Sequence, residues 1–134
     1  MNVRYQWSDD QTLLLLTLEE GWTWAEYHSV VRELSAAIRQ LGHPVDAIVE
    51  NTARIPFPSG SALSHLRQMM RVVPDNIGVI VVVSPNPLVK TINQILFTIA
   101  PKLRETVELA DTRAEALAII EKWRAQRHEG SEVD

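Results

Sequence analysis

The sequence predicts a single α/β domain with a mostly parallel central sheet flanked by helices, and three observations predict it. Two strand-like segments open the chain, and then short apolar runs alternate with segments of helical periodicity. The run Ile77 to Val83 is nearly all β-branched and apolar on both faces, as a central parallel strand reads. Three of the helical segments begin with capping chemistry, at Thr23, Asn86 and Thr112. The predicted order is β-β-α-β-α-β-α-β-α, which right-handed crossovers turn into a five-stranded sheet with 77–83 at its centre.

Val3, Tyr5 and Trp7 alternate with Arg4 and Gln6, the period of a half-exposed strand. Ser8-Asp9-Asp10 supplies a turn, and Leu13 to Leu18 returns as a second strand to complete a hairpin. Thr23 with Glu26 forms a capping box, and Trp22 with Tyr27 a hydrophobic staple. Trp24, Tyr27, Val31, Leu34, Ile38 and Leu41 then recur at helical spacing until Gly42 and Pro44. Val45 to Val49 is a short strand. A proline-rich loop leads to a helix from about Ser61, with Leu63, Leu66, Met69 or Met70, and Val73 on one face. Asn86 and Pro87 start the third helix, and Pro101 stops it. Its residues Leu88, Ile92, Ile95 and Ile99 define an apolar face that leaves Val89 and Phe97 outside. So many apolar residues predict a helix sunk deep against the sheet; the alternative is a patch open to a partner or ligand. Thr106 to Leu109 is an edge strand. Thr112 and Glu115 cap the last helix, which carries Leu117, Ile120 and Trp123. The domain is expected to span residues 1–125, with 126–134 a polar, frayed tail.

With 134 residues, 46% of them hydrophobic and 22% charged, the chain reads as an ordinary globular domain. It has no cysteine, which excludes disulfides and thiolate chemistry. No apolar run is long enough to span a bilayer, and Met1-Asn-Val-Arg-Tyr is unlike a signal peptide, so a cytoplasmic protein without a membrane partner is expected. A net charge of −4 without a basic block gives nucleic acid nothing to hold. The four histidines, His28, His43, His65 and His128, lack metal-ligand spacing, and no metal or cofactor is expected. There is neither a phosphate-binding Gly loop nor a nucleophile elbow, so an enzyme is not expected. Asp9-Asp10 invites comparison with a magnesium-binding acidic pair. The acids precede a strand rather than a helix, however, and a hairpin turn accounts for them better.

The most informative stretch is Glu50-Asn-Thr-Ala-Arg-Ile-Pro-Phe-Pro-Ser-Gly-Ser-Ala-Leu63, which delivers Ser59-Gly60-Ser61 to a helix start. A hydroxyl there caps the helix, or carries a phosphate that the helix N-terminus accepts. With this strand-loop-helix, the element order and Asp111-Thr-Arg-Ala-Glu-Ala-Leu117, residues 2 to 125 resemble the STAS family, the sulfate-transporter and anti-sigma-factor-antagonist domain. The resemblance implies Ser59 as phosphoacceptor, standing before Gly60, although Pro58 sits where the family usually has a neighbouring Asp-Ser or Asp-Thr. Glu50 stands in place of the acid that commonly ends the third strand. It further implies a non-enzymatic regulatory module that binds another protein, a kinase or an anti-sigma factor, as monomer or homodimer. Ile55, Phe57, Pro58, Gly60 and Ser61 would form the partner-binding loop. The alternative is a lipid or other small apolar ligand lodged in a similar sheet-and-helix core.

Overall fold

A computed structural model describes residues 2–133, with side chains described through His128. The elements are β1 (Val3–Trp7), β2 (Leu13–Leu18), α1 (Trp24–Arg39), β3 (Val45–Asn51) and α2 (Ala62–Met70). They continue with β4 (Ile77–Val83), α3 (Pro87–Ile99), a 3-10 turn (Pro101–Glu105), β5 (Val107–Ala110) and α4 (Arg113–Val133). The α/β class and the mostly parallel five-stranded sheet are those the sequence predicts. The sheet runs β1-β2-β3-β4-β5, with only β1 antiparallel to its neighbour.

A strand order equal to chain order, joined by crossovers of one hand, places α1, α2 and α3 on one face. Leu14, Leu16 and Leu18 of β2, Ala47 of β3 and Ile80 of β4 meet those helices. The alternate residues, Ile48, Val79, Val81 and Val83, meet Ala116 and Ile120 of α4 on the other face. The period of two within each strand thus divides the apolar residues between two cores.

The centre of the sheet is β3, not β4. The strand 77–83 pairs on both sides, but its outer neighbour β5 is the edge. Its apolarity on both faces reports that helices cover both, which says nothing of its place in the strand order. β3 carries the polar residues Asp46, Glu50 and Asn51, and the fold gives each of them partners.

The inward face of α3 is also corrected. Val89, Asn93, Leu96 and Phe97 are buried. Leu88, Ile95 and Ile99 are 40–49% exposed, so the helix turns part of its apolar surface outward. The predicted caps do form: Thr23 Oγ1 accepts from Glu26 N–H (3.1 Å), and Asn86 Oδ1 from Leu88 N–H (2.9 Å). The Glu26 carboxylate reaches Asn2 N–H (3.2 Å) rather than closing the capping box. Helix α4 continues to Val133, past the boundary expected near Gln126, and Arg127 is tied to the sheet through Asp46. Of the expected tail, Asp134 and the side chains beyond His128 lie outside the described residues.

Candidate functional site

The loop between β3 and α2 is held by its base and presents its tip. Asn51, buried at the end of β3, donates from Nδ2 to the Pro56 carbonyl (2.8 Å) and accepts from Ala53 N–H (3.2 Å). Trp22 Nε1–H donates to the same carbonyl (3.1 Å). The Glu20 carboxylate accepts from Arg54 N–H (2.9 Å) and Ile55 N–H (3.3 Å). These bonds satisfy backbone that two prolines keep out of regular structure.

Beyond that base the residues named from the sequence separate. Ile55 is 73% exposed. Phe57 is half-buried against the core and Pro58 is half-buried, while Ser59, Gly60 and Ser61 are exposed. Gly60 has φ +112°, a conformation that side chains rarely adopt. Ser61 is the N-cap of α2, its Oγ accepting from Ser64 N–H (3.3 Å). Among the described residues, none hydrogen-bonds the Ser59 hydroxyl.

Beside the loop lies a cluster that sequence spacing does not reveal. His28 of α1 and His65 of α2 are joined Nε2 to Nδ1 at 2.9 Å. The His65 ring stacks on Trp24 (4.5 Å between centroids, 10° between planes), and Phe57 stacks on Trp24 at 6.1 Å. Burial holds the His28 pKa below the ordinary histidine value, and the nearby charges of His65 and Arg32 push the same way. The separation of 37 positions between the two histidines hid the pair; its signal was one imidazole on each of two consecutive amphipathic helices. Among the described residues, no three potential ligands gather for a metal.

Two ion-pair groups tie α4 down. Asp46, 1% exposed, accepts from Val79 N–H (3.0 Å), Arg124 Nε (2.7 Å) and Arg127 Nη2 (2.7 Å). The register between β3 and β4 shifts beside it, and a side chain at Gly78 would collide with Asp46 and Arg127. The Glu50 carboxylate receives Arg113 in a two-pronged pair at 2.9 and 3.0 Å. At the other sequence candidate, Asp10 accepts from Ser8 Oγ (2.8 Å), Thr12 Oγ1 (2.7 Å) and Thr12 N–H (3.1 Å). The bonds from Thr12 and Ser8 lower its pKa to about 2, and Asp9-Asp10 is the hairpin turn.

Under α2 the core is incompletely filled. One apolar cavity of about 50 Å³ lies between the sheet, α2 and α3, walled by Leu66, Met70, Phe97, Asn93 and others. A second, of about 60 Å³, continues toward Pro74 and Ile77. The two share the walls Tyr27, Val49, Met69 and Ile80. Close-packed interiors hold few voids of this size. The roof explains them: no residue of α2 is buried.

No protein-family model matches the chain, and no curated protein or solved structure matches it either. Function therefore rests on the geometry of the site itself. No described helix is long and apolar enough to cross a membrane.

Proposed function

We propose that the chain is a non-enzymatic regulatory module of the STAS type, acting in the cytoplasm, that binds another protein through residues 51–61 and α2. The carrying observation is the division of labour between two serines. Ser61 is committed to the cap of α2, while the exposed Ser59 hydroxyl, beside a glycine at positive φ, is bound to nothing among the described residues. The base of the loop is pinned, so a partner, whether a kinase or an anti-sigma factor, meets a tip whose ordering cost is largely met beforehand. Phosphorylation of Ser59 adds a charge near −2 at about the helix N-terminus, where the fold tolerates it and an apolar contact does not. The test is recovery of partners from native extract, with mass spectrometry of Ser59 and binding measured for Ser59→Asp and Ser59→Ala. Ser59→Ala should bind as the parent does, and Ser59→Asp about tenfold or more weaker. Equal binding of all three by every recovered partner rules the switch out.

The second reading, a small apolar ligand, is favoured by a different observation: the adjoining apolar cavities beneath a helix that buries no residue.

A further inference from the structure

We propose that the cavities beneath α2 take an unbranched aliphatic ligand with a neutral head group that both donates and accepts a hydrogen bond, a hydroxyl or a primary amide, and exclude the corresponding carboxylate. The proposal rests on the apolar-ligand reading and specifies its chemistry. Most of the shared wall is apolar: Val49, Met69 and Ile80 bound both cavities, and thioether side chains reshape around a chain at small cost.

The specificity comes from the polar groups left over. Asn51, on the wall of the first cavity, has both amide atoms engaged in the loop. Asn93 does not. The residue is 6% exposed, and Nδ2 donates to the Val89 carbonyl (2.8 Å). That bond fixes the orientation of the amide, because a carbonyl only accepts, and it leaves Oδ1 with no donor among the described residues. Tyr27, 3% exposed, lines both cavities, and its hydroxyl has no described partner. Asn93 lines the first cavity and Tyr27 lines both, so the two oxygens are polar groups of these walls that have no described partner.

A buried oxygen that wants a donor and a hydroxyl able to donate are complementary to an alcohol or an amide. They do not suit a carboxylate. No Lys, Arg or His lines either cavity, so the anion would lie desolvated and unpaired, with Asn93 Oδ1 presenting a like partial charge. Ser35 is the remaining hydroxyl on the walls, in the second cavity, and it adds no charge.

The experiment uses the whole chain labelled with nitrogen-15 and at methionine methyl groups, with xenon, 1-butanol and butyrate at pH 8 as probes. Xenon should shift the Met69 and Met70 methyl resonances, and butanol should shift them together with the Asn93 side-chain amide. Butyrate should bind about tenfold weaker than butanol or more. Tyr27→Phe and Asn93→Leu should each weaken butanol about fivefold while leaving the xenon shifts in place. Butyrate binding as tightly as butanol overturns the head-group assignment, whatever the variants do. So does undiminished butanol binding by the folded double variant. Failure of xenon to reach Met69 and Met70 overturns the apolar-ligand reading itself, a distinct result.

Discussion

At the scale of single residues, the two serines before α2 are chemically equal and structurally opposite. Ser61→Ala removes the acceptor for Ser64 N–H and should lower stability by about 1 kcal/mol in urea melts. Ser59→Ala removes no described hydrogen bond and should leave the midpoint where it was. A second prediction concerns His28, whose folded pKa lies below its ordinary value of 6.5 because of burial and its charged neighbours. Below that value the unfolded chain binds the proton more readily than the folded one, so stability should fall as the pH drops from about 6.5 and level off beneath the folded pKa. Urea melts from pH 8 to 5 should show this loss, and His28→Gln should flatten it. An unchanged slope in the variant would place the acid sensitivity elsewhere. His65 was invisible as a partner from sequence, because only the packing of α1 on α2 brings it to the other ring.

Among the elements, α2 stands apart from its neighbours. It is nine residues long, buries none of them, and lies over unfilled space. Amide exchange should therefore find α2 opening well before α1 and α3, with protection well short of the global value. Equal protection in all three helices would show that the cavities do not loosen it. Most elements were legible in the sequence because their signals are local: caps at Thr23 and Asn86, turn chemistry at Ser8 to Asp10, and prolines that start and stop α3. Which face of α3 turns inward was not legible. Leu88, Ile92, Ile95 and Ile99 form one apolar stripe, and Val89, Leu96 and Phe97 belong to another that also contains Asn93. The second stripe is interrupted by a polar residue. Yet Asn93 satisfies its own amide donor on Val89 within the helix, which removes part of the penalty of burial. The loop was legible as a loop. That Phe57 is a wall of the core while Ile55 stands in solvent depends on contacts with Trp24 that no short window of sequence contains.

For the whole molecule, the strand order follows the chain order, so the sheet is built between segments close in sequence. Helix α4 is the exception. Arg124 reaches back 78 residues to Asp46 and 112 to the Thr12 carbonyl, and Arg113 reaches back 63 to Glu50. Removing the carboxylate in Asp46→Ala should destabilise the fold by about 3 kcal/mol, the low end for a broken buried pair, since both guanidinium groups keep some contact with water. If the helix docks after the main barrier, stopped-flow traces will show the loss as faster unfolding at nearly unchanged folding rate. A slower folding limb would put the closure of α4 inside the nucleus instead. This long return has a consequence for synthesis on the ribosome. The strands emerge in the order in which they pair, but the sheet face bearing Ile48, Val79 and Val81 has no cover until α4 has left the exit tunnel. Every nascent copy passes through an interval with that face bare and Asp46 awaiting its arginines. The hazard of aggregation is thereby concentrated between the emergence of β4 and that of α4.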